Sequence, residues 1–188
     1  MQVDTVTGLL DAAQLRLSPH CDPRPAPHII DLLVLHNISL PPGEFGGPWI
    51  DALFAGALDC TAHPYFTTLI GLRVSAHLLI RRDGALFQYV PFTQRAWHAG
   101  ASCFEGRTNC NDFSIGIELE GDDDTPYSDA QYQTLAPVVR SLMRAYPHIT
   151  PPRIVGHSDI APGRKTDPGP AFDWPRLRAL LDSQTGHT

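Results

Sequence analysis

An apolar run at residues 29–35, IIDLLVL, ends directly at a histidine, His36. A continuous run of this kind, bounded by turn-forming residues, is typical of a β-strand that is fully buried. Strand ends that lead into loops are where binding sites usually lie in α/β proteins. The sequence therefore predicts a buried strand with His36 at its carboxyl end, and other elements must cover that strand.

Further strands and helices are predicted around this one. Residues 75–80 and 86–90 are joined through an Asp-Gly pair, which favours a tight hairpin turn. Ser128 and Gln131 form the pattern of a capping box at the start of a helix. The other predicted elements are a helix within residues 48–58, strands at residues 114–119 and 154–155, and a last helix capped by Asp173. This order predicts a mixed α/β fold, in which a central mixed β-sheet is flanked by α-helices.

Composition limits the size and class of the protein. The chain has 188 residues, of which 43% are apolar and 18% are charged, so one folded domain is expected and a disordered chain is excluded. The net charge is -6 and no basic stripe is present, which argues against binding to nucleic acid. We expect an irregular, proline-rich arm at residues 1–28, a main domain at residues 29–182 and a short tail at residues 183–188.

Targeting signals and cysteine spacing indicate the compartment. Residues 1–20 have neither the basic start nor the apolar core of a secretory signal. No apolar stretch approaches the roughly 18 residues that span a membrane. The four cysteines lack CxxC spacing and are expected to be free thiols. We therefore expect a cytoplasmic protein without a membrane partner, and we take it to be a monomer.

A second histidine, His157, ends another short predicted strand. The loop behind it is rich in proline and glycine, so we expect a fixed path rather than a helix, on which Asp167 can converge with His157. Together with His36, these residues would leave the fourth position of a tetrahedral zinc open for water, as in catalytic sites. One alternative is that Asp167 is only a turn residue before Pro168 and that Lys165, on the same loop, is only a solvated side chain. Another is that His98 is a metal ligand.

The predicted strand at residues 114–119 carries a glutamate, Glu118, on the same face as Gly116. A glutamate beside a glycine that leaves open space suits a general acid/base in a cleft. One alternative is that Glu118 is an exposed residue on a polar face. Another is that Glu120, which shares this face, has the acid/base role.

Several motifs between about residues 32 and 174 together resemble a known family. They are similar to the zinc-dependent N-acetylmuramoyl-L-alanine amidases of the amidase-2, peptidoglycan-recognition-protein-like fold. The run at residues 36–47 most resembles the cytoplasmic subgroup that acts on 1,6-anhydro-muropeptides in cell-wall recycling. The motifs are Leu35-His36-Asn37, Ser75-Ala76-His77, Arg81-Arg82-Asp83-Gly84, Trp97-His98-Ala99-Gly100, and residues 111–118 and 157–169.

The resemblance implies the roles of the candidate residues. His36, His157 and Asp167 would hold one zinc ion per chain. Glu118 would be the general acid/base, and Lys165 would stabilise developing negative charge. The reaction would be hydrolysis of the amide bond between N-acetylmuramic acid and L-alanine of a muropeptide, and residues 29–182 would form the catalytic domain.

The resemblance also implies substrate contacts, at Asn37, Arg73 and Trp97. Related proteins often have a second arginine where this chain has Asn109, so the resemblance does not carry that basic substrate contact over to this position. Two other functions are weighed against the recycling amidase: an exported amidase that cuts intact peptidoglycan, and a non-catalytic peptidoglycan-binding module of the same fold. The lack of a signal segment argues against the first, and the complete ligand set argues against the second.

Overall fold

A six-stranded β-sheet runs through the centre of the computed structural model, which describes residues 1–27 and 29–183. The strands are β1 Val3–Asp4, β2 Leu9–Leu10, β3 Gln14–Leu15, β4 Cys21–Pro23, β5 Leu32–Ile38, β6 Leu78–Ile80, β7 Leu86–Gln88, β8 Gln94–Ala96, β9 Cys103–Phe104, β10 Arg107–Thr108, β11 Ser114–Glu120 and β12 Ile154–Gly156. The α-helices are α1 Trp49–Phe54, α2 Asp129–Ala145, α3 His157–Ile160 and α4 Trp174–Asp182, and short 3-10 helices cover Pro64–Leu69, Cys110–Asp112 and Pro151–Arg153.

The strand order in the sheet is β12-β5-β11-β6-β7-β3. Strand β5 pairs in parallel with β12 and β11, and β11 pairs in parallel with β6. The β6–β7 hairpin is antiparallel, as its Asp-Gly turn predicts. The predicted mixed α/β fold with a central mixed sheet is therefore confirmed.

Side chains of β5 are buried on both faces of the sheet, as the apolar run predicts. Leu33 and Leu35 are fully buried in the cluster that also contains the apolar face of α2. Leu32 and Val34 face the other way and pack in a cluster with Ile160 of α3. Because each such side chain contributes roughly 1.5–3 kcal/mol on burial, this strand is firmly held.

Helix α2 begins at the predicted capping box. The Ser128 side chain accepts a hydrogen bond from the Gln131 backbone, and the Gln131 side chain accepts one from the Ser128 backbone. The helix continues through Pro137 to Ala145. None of the helices among the described residues is both long and apolar enough to cross a bilayer.

The N-terminal segment differs from the expected irregular arm. The described residues 1–27 contain four short strands, of which β3 joins the edge of the central sheet beside β7. Strands of two or three residues are too short to show an alternation of apolar and polar side chains, so the sequence alone does not predict them. The proposed division at residues 28 and 183 stays a prediction, and residues 184–188 of the expected tail lie outside the described residues.

The segment after His157 is a further correction, because it forms the short helix α3 where a loop was expected. The Gly156 backbone N–H donates to the Asp159 carboxylate at 2.7 Å, which caps this turn. Beyond α3, the chain follows an irregular path to Asp167.

Candidate metal centre and active site

Three candidate ligands meet at one point at the carboxyl end of the sheet. His36 Nδ1 lies 3.0 Å from His157 Nδ1 and 2.9 Å from Asp167 Oδ2, and His157 Nδ1 lies 3.0 Å from the same oxygen. All three residues are buried. His36 lies near the end of β5 and His157 directly follows its parallel neighbour β12, so the sheet itself brings the two rings together.

Asp167 reaches this point because its loop is tied back to α3. The Ser158 backbone N–H donates to the Asp167 carbonyl oxygen at 3.0 Å. This hydrogen bond joins the loop to the helix and helps to place the Asp167 carboxylate beside the two rings.

The donor set suits a zinc ion. Burial lowers the pKa of His36 to about 4, so its ring is neutral at pH 7 and keeps a lone pair for a metal. Burial alone would raise the pKa of Asp167, but the close contacts of its carboxylate with the His157 and His36 rings outweigh it and hold that pKa well below its usual range. Zinc binding requires neutral imidazoles and an ionised carboxylate, and the pKa shifts of His36 and Asp167 favour these forms. Ligand atoms around a tetrahedral zinc stand roughly 3.3 Å apart, so the observed triangle needs only a small expansion to hold the ion.

The second ring nitrogens of both histidines are also occupied. His36 Nε2 lies 2.9 Å from His98 Nδ1, and His157 Nε2 lies 3.0 Å from the Ala99 carbonyl oxygen. With Nε2–H as the donor in each case, both Nδ1 lone pairs point to the shared site. His98 therefore contacts a candidate ligand and lies outside the convergent set, unlike the alternative in which His98 is itself a ligand.

Glu118 lies on β11 directly opposite His36 in the parallel register. Its Oε2 atom is buried and has no hydrogen-bond partner among the described residues. Burial, followed by the charge of Asp167, raises the pKa of Glu118 well above its ordinary value, although Lys165 opposes the shift. An unpaired, desolvated carboxyl group of this kind is suited to exchange protons in a cleft.

Glu120, the competing glutamate, has a different environment. Its carboxylate forms a buried ion pair with Arg81 at 2.6 Å and accepts hydrogen bonds from the backbones of Gly46 and Arg82. These three contacts tie the carboxylate to the segments around Gly46 and Arg81. Glu118, and not Glu120, lines the cleft beside the candidate ligands.

The glycine on this strand has a role that the sequence did not predict. A Cβ atom on Gly116 would lie 2.5 Å from Cγ of His98, so the ring of His98 fills the space above it. The space that was expected to stay open for Glu118 is therefore occupied by a side chain from a distant segment.

A cleft of about 620 Å³ opens above the three candidate ligands and Glu118. Lys165 lines it and is exposed. Asn37 also lines it, and donates to the Asp123 carboxylate at 2.8 Å. Trp97 lines it as well, and its indole N–H donates to the Asp22 carboxylate at 3.1 Å.

Arg73 is the predicted contact that the structure does not bring to this cleft. It is exposed and lines a separate depression of about 180 Å³. Sequence reasoning in turn missed Arg164 and Asp123, which line the cleft. The residue in the sequence that relates to the position of Asp123 is Gly169. A Cβ atom on Gly169 would lie 2.4 Å from the Asp123 Cα atom, so the two backbones can approach this closely only because residue 169 is a glycine.

Comparison with known proteins identifies the family of this chain. Residues 25–170 match the family described as N-acetylmuramoyl-L-alanine amidase. The chain belongs to this family. The amidase is 62% identical over 178 residues to the 1,6-anhydro-N-acetylmuramyl-L-alanine amidase AmpD of Escherichia coli K12. The aligned residues cover 95% of this chain and 97% of that relative. The family that the motifs predict is confirmed, and the chain is an amide hydrolase.

Solved structures support the same placement. The crystal structure of a selenomethionine derivative of AmpD superposes on the amidase with a TM-score of 0.93 at 61% identity, covering 96% of this chain and 99% of that one. AmiD of Escherichia coli, solved in complex with anhydro-N-acetylmuramic acid-L-Ala-D-gamma-Glu-L-Lys, gives a TM-score of 0.59 at 31% identity, covering 92% of this chain and 60% of that one.

The two glutamates of the amidase should respond to neutralisation in opposite ways. In the metal-free protein, the folded state favours protonated Glu118, so wild type loses stability as the pH rises from the ordinary pKa of 4.5 towards the raised folded value. Glu118→Gln lacks this loss and should melt at a higher temperature than wild type at pH 8, with the gap closing towards pH 4. The expected gain is roughly 2–4 °C for each kcal/mol relieved.

The matched control is Glu120→Gln, which removes the carboxylate 2.6 Å from Arg81 and leaves Arg81 paired only with Asp51, at 2.9 Å. It should cost about 1.5–3 kcal/mol of unfolding free energy, the usual contribution of a hydrogen bond to a charged group. Thermal melts across the pH range check both variants. A destabilised Glu118→Gln at pH 8 would show that this carboxylate is paired and structural.

Proposed function

We propose that this amidase hydrolyses the amide bond between (1,6-anhydro-)N-acetylmuramic acid and L-alanine of muropeptides, in cytoplasmic peptidoglycan recycling. One zinc ion per chain would be held by His36, His157 and Asp167. The observation that carries the proposal is the convergence of these three donors within 3.0 Å, in a cleft lined by Glu118 and Lys165. The likeness to AmpD over nearly the whole chain supports the substrate class.

The metal would supply one part of the chemistry. When bound, zinc would act as a Lewis acid towards the scissile carbonyl and would make a water molecule more acidic. Two neutral imidazoles and one carboxylate would leave a fourth position free for this purpose, as in catalytic zinc sites.

Glu118 would move the protons. It would accept a proton from the attacking water and then return one to the amine nitrogen of L-alanine as the amide bond breaks. A carboxyl group with an ordinary pKa would be a poor acid for the second step. The raised pKa of Glu118, caused mainly by burial, would let one side chain act as the base towards water and as the acid towards the leaving amine.

Lys165 would stabilise the charge that develops on the carbonyl oxygen. It lies on the same loop as Asp167 and lines the cleft while remaining exposed. A fixed donor of this kind typically contributes about 3–4 kcal/mol to transition-state stability.

The remaining candidates would orient the muropeptide. Asn37 and Trp97 line the cleft, and the hydrogen bonds to Asp123 and Asp22 hold their side chains in place. Arg73 follows Leu72, which lines both the cleft and the neighbouring depression. Arg73 would therefore meet only a part of the substrate that extends beyond the cleft.

Substrate choice tests the proposal against its rivals. The zinc-loaded protein should release peptide from soluble 1,6-anhydro-muropeptide much faster than from intact sacculi, as measured by chromatography of the products. Faster release from sacculi would favour an enzyme of intact peptidoglycan. Binding of the muropeptide without any turnover would favour a non-catalytic module.

Substitution of the two catalytic candidates tests the mechanism. Glu118→Gln should retain zinc and lower kcat by about 10²–10⁴-fold, because no group remains to accept the proton. Lys165→Ala should retain zinc and lower kcat by about 10²–10³-fold. Metal analysis of each purified variant provides the control, and full activity in zinc-loaded Glu118→Gln would remove Glu118 from the mechanism.

A further inference from the structure

One short segment, residues 97–101, contacts both candidate histidine ligands. The His98 ring lies against His36, at 2.9 Å between Nδ1 and Nε2. The next residue, Ala99, accepts the hydrogen bond from His157 Nε2 through its carbonyl oxygen at 3.0 Å. The orientation of both imidazoles therefore depends on where the backbone of this segment lies.

The His98 ring is itself held in a single orientation. Since its Nδ1 accepts from His36, its Nε2 carries the proton and donates to the Ser114 hydroxyl at 3.1 Å. The ring also fills the space above Gly116, where a Cβ atom would lie 2.5 Å from Cγ. With the ring held in this way, any shift of the His98 backbone would be passed to His36.

Asn111 holds the backbone of this segment. Its Oδ1 atom accepts a hydrogen bond from the His98 backbone N–H at 3.1 Å and another from the Ala99 backbone N–H at 2.8 Å. A single side-chain oxygen thus fixes two consecutive peptide groups, one for each histidine ligand. Asn111 does not line the cleft, and the motifs give it no role.

The backbone around Asn111 is held by the buried side chain of Arg24. The guanidinium of Arg24 is buried, and its Nη1 atom donates to the carbonyl oxygens of Asn111 and Asp112 at 3.0 and 3.1 Å. Its Nη2 atom donates to the Ser114 carbonyl oxygen at 2.8 Å. The Asn111 backbone is therefore tied to the start of β11, the strand that carries Glu118.

We propose that Asn111 is a positioning residue of the metal centre, which orients His36 and His157 by holding the backbone of His98 and Ala99. The inference rests on the zinc role proposed above. Loss of a group that holds metal ligands in this way typically weakens metal binding by roughly 10–100-fold. The side-chain oxygen is the feature that matters, so an aspartate at this position should serve almost as well as the asparagine.

The test measures zinc affinity directly, by competition of the purified, metal-free protein with a chromophoric chelator. Asn111→Ala should weaken zinc binding about tenfold or more. Asn111→Asp retains the accepting oxygen and should bind zinc nearly as tightly as wild type. Asn111→Ser, whose short side chain cannot reach both N–H groups, should behave like the alanine variant and replaces it if that variant does not fold.

Gln88→Ala is the matched control. Gln88 is a buried amide whose Oε1 accepts from the Leu10 backbone N–H at 2.9 Å, and it does not line the cleft. Its loss should lower the melting temperature and leave zinc affinity unchanged.

Unchanged zinc affinity in Asn111→Ala or Asn111→Ser would overturn the inference, as would an Asn111→Asp variant that binds no better than they do. An equal loss of affinity in Gln88→Ala would also overturn it, because general destabilisation would then explain the effect. Failure of wild type itself to bind zinc would instead reject the proposed function.

Discussion

Strand β5 pairs in parallel with β11 on one side and β12 on the other, and the arrangement of the site depends on this pairing. Parallel neighbours end at the same edge of a sheet, so the register places Glu118 beside His36 and brings His157 to the adjacent strand end. The energy behind the register is apolar burial on both faces of β5. A slip of one residue would turn His36 away from the cleft and Leu35 into it.

Similar side chains in and near this site have different surroundings, and the proposed mechanism gives them different tasks. Glu118 has a buried oxygen without a partner and a raised pKa, whereas Glu120, on the same face of the same strand, is neutralised by Arg81. Asp167 is held ionised by its close contacts with both histidine rings. The proposed mechanism therefore assigns proton transfer to Glu118 and metal binding to Asp167, while the carboxylate of Glu120 is taken up by its ion pair.

Local signals in the sequence predicted much of this arrangement. The apolar run before His36 and the capping box at Ser128 depend on neighbouring residues, and the structure has both. The loop after His157 allowed the prediction that His157 and Asp167 converge with His36, and the family resemblance then assigned these three residues as ligands. That convergence joins segments more than a hundred residues apart, and no periodic pattern records it.

Features that depend on distant contacts were missed. Gly116 was interpreted as open space beside Glu118, but the ring of His98 fills it. The helix after His157 forms because Asp159 caps it, against the proline and glycine content of the following loop. Asn111 begins one of the family motifs, but the sequence assigned it no role, since its two hydrogen bonds go to backbone groups in a different segment of the chain.

The central claim is that His36, His157 and Asp167 form a zinc site, and zinc K-edge X-ray absorption on the reconstituted protein tests it most directly. The expected result is one zinc per chain with two imidazole nitrogens at about 2.0–2.1 Å and light oxygen ligands completing a tetrahedron. Asp167→Asn and His157→Ala should each lose tight binding. A sulfur ligand in the spectrum, or tight zinc binding that survives both substitutions, would contradict the account.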